Sequence, residues 1–261
     1  MSAGLAARVI PCLLLRGDGL VKTVRFKDPK YVGDPINAVR LFNDLEVDEL
    51  IFLDIEAGPK RREPPYARIA EIAGEAFMPI CYGGGVTGID QARRLFKSGV
   101  EKIAVTTALV EAPELLREIA DNYGEQAVVA GIDVRRDLLG RPRAMVRGGA
   151  GRTGLDPVAL AVRAAELGAG EILLNSIDRD GTGRGYDLDL LRAVSAAVPV
   201  PVIACGGAGA AAHLRAAIDA GASAAAAGSL FVYKGPHRAV LINYPTRPEL
   251  RALLGSSRGA A

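Results

Sequence analysis

Val200-Pro201-Val202-Ile203-Ala204-Cys205-Gly206-Gly207-Ala208-Gly209 reads as a short apolar strand that runs straight into a cluster of glycines. Pro79-Ile80-Cys81-Tyr82-Gly83-Gly84-Gly85 reads the same way, and Pro79 and Gly85 stand 122 positions before Pro201 and Gly207. Extending outward at that offset pairs Asp34-Pro35 with Asp156-Pro157, Glu49 with Glu171 and Thr107 with Ser229. Residues 34 to 110 therefore overlay residues 156 to 232 without a gap. Chance does not hold register over such a length, so the chain is an internal duplication.

Each half alternates strand and helix. Asp34-Pro35 and Asp156-Pro157 have the form of an N-cap followed by proline in the first helical turn, opening helices that end near Val47 and Gly168. Strands are expected at Glu49 to Asp54 and Glu171 to Ser176, short apolar runs of the kind buried on both faces of a parallel sheet. Further strands are expected at Pro79 to Tyr82, Val200 to Cys205, Lys102 to Val105 and Ala224 to Ala227. With Val9 to Leu15 and Val128 to Asp133 these make eight. Eight strands alternating with helices in two equivalent halves favour a closed (β/α)8 TIM barrel over an open sheet, which would not require the halves to match. We expect one domain over residues 1–261, with half-barrels at about 8–122 and 126–245.

The totals exclude several classes. Hydrophobic residues make up 49% of the 261 and charged residues 24%, a composition that can bury a large core. Lysine and arginine outnumber the acids by only two and are scattered, which argues against a nucleic-acid binder. No apolar run approaches the length of a membrane span, and the opening residues lack the layout of a signal peptide, so a cytoplasmic location is expected. Cys12, Cys81 and Cys205 are far apart in apolar segments and read as buried, reduced thiols. His213 and His237 have no partners that suggest a ligand set, and no metal or cofactor is expected.

In such barrels ligands meet the C-terminal ends of the strands, where glycine-rich loops present backbone N–H groups to phosphate. Gly206-Gly207 and Gly228-Ser229 end consecutive strands, and Gly84-Gly85 with Thr106-Thr107 form the copy in the first half. Two such loops suit a ligand with a phosphate at each end. Asp178, Asp180 and Gly181, in Asp178-Arg179-Asp180-Gly181-Thr182-Gly183, follow the strand that carries Asn175 and read as substrate contacts. Asp133 ends an apolar strand, where burial can tune an acid or base. Lys60-Arg61-Arg62 lies on the same face and reads as a solvated loop within reach of a phosphate.

Together, Cys12-Leu13, Gly33-Asp34-Pro35, Asp48-Glu49-Leu50, Phe52-Leu53-Asp54-Ile55, Ser176 through Thr182 and Gly206-Gly207-Ala208-Gly209 resemble the cyclase subunit of imidazole glycerol phosphate synthase, the HisF family, over nearly the whole chain. The resemblance implies ammonia supplied by a HisH-like glutaminase subunit, passage through the barrel, and two catalytic aspartates acting on a bisphosphate nucleotide. Asp133 matches one of them. The other is expected at position 14, where this chain has Leu14, and Thr106 stands where the family usually has Asn. Asp18 or Glu56 would be the nearest substitutes for the missing acid. Arg8, Glu49, Lys102 and Glu171 match the family's ring of charges at the glutaminase end, and Lys22 and Asp54 match polar positions at the active end.

Cys12-Leu13-Leu14-Leu15, Lys22-Thr23-Val24-Arg25-Phe26, Gly228 through Val232 and His237 through Pro245 resemble a branch of that family associated with acetamidino-sugar formation for surface polysaccharide. That resemblance implies an N-acetyl sugar amidotransferase as a further partner. Three functions are thus in view: an ammonia-delivering subunit for amidino-sugar formation, a working histidine-pathway cyclase, and a non-catalytic barrel that binds a phosphorylated metabolite as a scaffold.

Overall fold

The computed structural model describes residues 7–255. Residues 1–6, on which part of the reading of the N-terminus falls, and residues 256–261 lie outside the described residues. The eight expected strands are present as β1 (Arg8–Arg16), β2 (Leu50–Asp54), β3 (Ile80–Gly83), β4 (Lys102–Val105), β5 (Val128–Arg136), β6 (Glu171–Ser176), β7 (Val202–Cys205) and β8 (Ala224–Ala227). Each pairs in parallel with the next, and β8 pairs back to β1 with Arg8 opposite Ala224, so the sheet closes. The fold is a (β/α)8 barrel built from two duplicated halves.

The helices that follow the strands are α1 (Pro35–Asp44), α2 (Tyr66–Glu75), α3 (Ile89–Lys97), α4 (Glu114–Tyr123), α5 (Pro157–Glu166), α6 (Leu188–Ala197), α7 (Ala211–Asp219) and α8 (Arg247–Leu254). The duplicated Asp-Pro pairs start α1 and α5 as their chemistry dictates. The Asp34 carboxylate accepts from the Asn37 N–H at 3.0 Å, and the Asp156 carboxylate from Val158 and Ala159 at 2.9 and 3.0 Å. These bonds satisfy amides that the first helical turn leaves open.

Strand alternation sorts the core into two layers. Along β1, Val9, Leu13 and Leu15 face the helices, while Ile10 and Cys12 face the lumen. The lumen is filled by Ile51, Cys81, Ala104, Val129, Leu173, Ile203, Cys205, Ala224 and Ala226 as well, so the centre of the barrel is a narrow apolar column. All three cysteines are buried and free. Tyr244, whose hydroxyl donates to the Val9 carbonyl at 2.7 Å, packs on Phe231 and seats the C-terminal segment against β1. No helix among the described residues is long and apolar enough to cross a membrane.

The structure adds elements at the strand ends that apolar patterning does not announce. Gly19–Val24 and Lys27–Gly33 form an antiparallel hairpin joined to β1, and β5 runs past Asp133 to fold back on Pro142–Val146. Lys27–Gly33 has no fully buried residue, so backbone pairing rather than side-chain burial holds it. Replacing Phe42, fully buried on the inner face of α1, by alanine is expected to cost about 3–5 kcal/mol, against about 1 kcal/mol for Asp156→Ala. Urea unfolding of the two variants checks that order.

Candidate active site

A cavity of about 950 Å³ opens at the C-terminal ends of the strands. Its wall includes Lys22, Asp54, Gly84, Gly85, Thr106, Thr107, Asp133, Asn175, Asp180, Gly181, Gly206, Gly207, Gly228 and Ser229. The barrel thus brings together every sequence-expected residue of this face except Asp178. The Asp178 carboxylate instead accepts from the Arg136 N–H at 2.8 Å, anchoring the extended β5 outside the cavity. The side chain of a residue two positions from Asp180 on a turn points elsewhere, which no residue-type argument could have told.

The two glycine loops, copies in sequence, both run at positive φ. Gly84 and Gly85 have φ of 126° and 73°, and Gly206 and Gly207 have φ of 83° and 120°. A side chain at Gly207 would lie 2.2 Å from the Gly185 carbonyl, and one at Gly84 would lie 2.6 Å from that of Asp54. Only glycine fits this close left-handed path, which leaves backbone facing the cavity. At the next strand ends, Thr106 (φ −112°, ψ −64°) and Gly228 (φ −106°, ψ −69°) adopt almost the same conformation and lead into the short helices Thr107–Glu111 and Ser229–Val232.

The hydroxyls of these positions suit an acceptor-rich guest. Thr107 Oγ1 accepts from the Arg147 N–H at 3.0 Å, which leaves its own proton free to donate. Ser229 Oγ is buried without a partner among the described residues. A buried unpartnered hydroxyl in a cavity wall is the signature of a group awaiting a ligand. Lys22, only 5% exposed, donates to the Cys12 carbonyl at 3.1 Å, and its ammonium sits so close to Gly228 that a side chain there would lie 1.8 Å from Nζ. Cation, hydroxyl and bare backbone converge at one end of the cavity.

Asp133 is enclosed by protein but keeps part of its surface open to the cavity. Burial pushes its carboxyl up to about 7, with Asp180 adding to the rise, against the hydrogen bond from Asn175 at 3.2 Å and the charge of Arg135. Asp180 is likewise raised by burial, while Lys22, the Thr23 hydroxyl at 2.9 Å and the Phe26 N–H favour its ionised form. Asp133 is therefore poised to exchange a proton near neutral pH. Across the barrel on β1, Leu14 faces the same cavity and is 8% exposed. Neither Asp18 nor Glu56 lines it; Glu56 is held down to about 2, first by Lys60 and also by Arg16 and Arg62. Among the described residues, the acids that line the cavity besides Asp133 are Asp54, Glu63, Glu111 and Asp180.

At the other end of the lumen, Arg8, Glu49, Lys102 and Glu171 close a ring of ion pairs. Arg8 bonds Glu49 at 2.6 Å and also Glu171, and Lys102 bonds Glu49 at 3.0 Å and Glu171 at 2.9 Å. Burial works to lower the Arg8 and Lys102 pKa values, yet both are raised because Glu171 and Glu49 outweigh it. Cys81 lies on the lumen wall within the field of this ring, whose charges come from β1, β4, β6 and the residue just before β2.

Some of the wall was not expected. Arg147-Gly148, on the turn after Pro142–Val146, and Phe26, at the tip of the first hairpin, also line the cavity. The pair Gly148-Gly149 is the one available signal for that turn, where Arg147 joins them at positive φ. His213 Nδ1 accepts from the Gly209 N–H at 3.1 Å, a structural task in the second glycine loop. Among the described residues, no group of three or more His, Cys, Asp or Glu side chains could hold a metal.

A family model described as "Histidine biosynthesis protein" matches residues 8–237. Two proteins that carry the name "Putative imidazole glycerol phosphate synthase subunit", hisF2 of Pseudomonas aeruginosa and HisF of Leptospira borgpetersenii, are 54% and 47% identical over 239 and 251 residues. These alignments cover 91% and 95% of this chain and 95% and 99% of those proteins. The "Imidazole glycerol phosphate synthase subunit HisF" of Streptomyces coelicolor is 46% identical over 227 residues, covering 87% of this chain and 90% of its own.

Two stability measurements test these electrostatics. Because the native state holds the Asp133 proton up to about pH 7 and the unfolded chain loses it near the ordinary value of 3.8, stability from this group falls as pH rises between those values. Urea unfolding at pH 5 and pH 8 should show that Asp133→Asn flattens this fall, which amounts to at most about 3 kcal/mol between those two pH values. Glu49→Ala leaves two half-buried cations on a single remaining carboxylate, and the same method should record a loss of about 1–3 kcal/mol, less than for a fully buried pair because solvent screens the cations.

Proposed function

The chain belongs to the histidine biosynthesis protein family, and from that premise we propose that it is the ammonia-using subunit of a glutamine amidotransferase of the imidazole glycerol phosphate synthase type. Its ligand carries a phosphate at each end, and a HisH-like glutaminase subunit docks where Arg8, Glu49, Lys102 and Glu171 meet. The observation that carries this reading is the two-ended construction: an ion ring at one mouth of an apolar lumen and paired phosphate loops at the other.

The physics assigns each part a task. A lumen lined by Ile10, Ile51, Val129, Ile203 and alanines disfavours ammonium, whose desolvation has no counter-charge there, and admits neutral ammonia. The ring must part for passage, and Lys102, an unbranched flexible side chain anchored only by ion pairs, is its movable member. At the far end, Gly84-Gly85 with Thr107 and Gly206-Gly207 with Ser229 grip the two phosphates. Asp180 and Asn175 contact the ligand between them. Asp133 exchanges protons with the reacting centre.

Leu14 narrows the reading further. Leucine neither gives nor takes a proton, and a missing positioned acid or base lowers a rate by about 10²- to 10⁴-fold. A barrel with the ring, lumen and phosphate loops but one acid fits ammonia delivery for another product better than ring closure in histidine synthesis. The resemblance of residues 12–15, 22–26, 228–232 and 237–245 points to acetamidino-sugar formation, with an N-acetyl sugar amidotransferase as further partner. The cyclase reading stands second, favoured by Asp133 and by the names of the relatives.

Steady-state turnover of the histidine-pathway bisphosphate nucleotide with ammonium salt separates the two. The natural chain should be inactive, and Leu14→Asp, checked for an unchanged melting curve, should gain at least about 10²-fold. Turnover by the natural chain would establish the cyclase. In the Leu14→Asp background with the glutaminase present, adding Glu171→Lys should abolish the glutamine-supported reaction while the ammonium-supported reaction continues.

A further inference from the structure

The two phosphate loops are equivalent in backbone but not in the cations that serve them. Lys22 sits against Gly228 in the second-half site. In the first-half site no lysine occupies the corresponding place. Instead the segment after β2 folds over the glycines: a side chain at Gly85 would lie 2.6 Å from the Arg62 carbonyl and 2.9 Å from the Ala57 Cβ. Three arginines from this region and the neighbouring turn, Arg61, Arg62 and Arg147, line the cavity.

Two of the three are held in ion pairs. Arg62 pairs with Glu56 at 2.5 Å, as do Lys60 at 2.6 Å and Arg16 at 3.2 Å, and Arg147 pairs with Glu111 at 2.8 Å. The acids of the same wall are also engaged: Glu63 holds Arg94 at 2.9 Å, and the Asp54 carboxylate accepts from the Glu56 and Ala57 N–H groups. The Arg61 guanidinium has no ion pair or hydrogen bond with any described residue. Its backbone nonetheless adopts a left-handed conformation, with φ of 49°, that an L side chain enters only at a cost. An arginine is held where glycine would be easier, at the edge of a cavity, with its charge free.

We propose that Arg61 is the cation of the first-half anion site, closing on the phosphate seated over Gly84-Gly85 and the free hydroxyl proton of Thr107. This deepens the functional reading above and rests on it: the ligand's two phosphates are then each met by one cation, Lys22 at one end and Arg61 at the other. A guanidinium can grip two phosphate oxygens at once, and the higher negative charge of a phosphate monoester favours it here over a singly charged carboxylate.

Titration of the full chain with inorganic phosphate at low ionic strength, followed by phosphorus NMR and calorimetry, tests it. The natural chain should bind at two sites, one of which is lost in Ser229→Asp. Arg61→Gln should weaken the other by about tenfold, Arg61→Lys should recover part of that loss, and Arg62→Gln should change neither. Arg61→Gly should weaken phosphate as Arg61→Gln does while raising the melting temperature by about 2 °C, since it relieves the backbone. If Arg61→Gln binds phosphate as the natural chain does, or if Arg61→Gly lowers the melting temperature, Arg61 is a structural residue and the proposal falls while the two-phosphate reading stands. If the natural chain binds no phosphate, that reading falls first.

Discussion

The pairing of Arg8 through Pro11 with Ala224 through Ala227 closes the sheet, and the site depends on that closure. An open sheet with the same strands would offer one face to each helix layer and no interior. Once closed, alternation forces every second residue of each strand into a shared column, and a column has two ends with different chemistry. Strand N-termini carry Arg8, Glu49, Lys102 and Glu171 into one ring, although they are spread over more than half of the chain. Strand C-termini carry the glycine loops, Asp133 and Asn175 into one cavity. Neither constellation exists in any half taken alone.

The two ends differ in how their charges are balanced. At the ring, each carboxylate touches both cations, and the group is neutral within itself, so it can be buried and still hold its members ionised. At the cavity, the balance is incomplete in the other direction. Lys22 makes one hydrogen bond, Ser229 makes none, and Asp133 is held closer to its neutral form by burial. A ligand rich in acceptors could pair such groups with little reorganisation.

What the sequence reveals depends on which force builds each part. Strand positions were legible because parallel strands buried on both faces read as apolar runs, and β4, β6 and β8 begin and end where those runs do. The caps of α1 and α5 and the paired glycine loops were legible because duplication repeats them in register. The hairpin over the cavity was not: backbone pairing and left-handed turns at Arg25 and Phe26 build it, and neither leaves an apolar pattern. The same holds for Arg147, whose backbone N–H orients Thr107, and for Asp178, whose turn aims it at Arg136. The ring was visible only through resemblance, since a lone Glu at a strand start is ordinarily a solvated charge.

Leu14 shows how far a single position can separate fold from chemistry. Its place on β1 is set by the alternation that puts Ile10 and Cys12 in the lumen, so whatever residue stands there must face the cavity. An acid at that position would lie in a wall with Asp133 and Asp180, both already raised by burial, and a third carboxylate would compete with them for Lys22. Leucine removes that competition and extends the apolar lumen up to the cavity wall. On the reading proposed above, the barrel would keep an ammonia path and a grip on phosphate while surrendering one proton-transfer step, which is the kind of change by which one scaffold moves from one ammonia-consuming reaction to another.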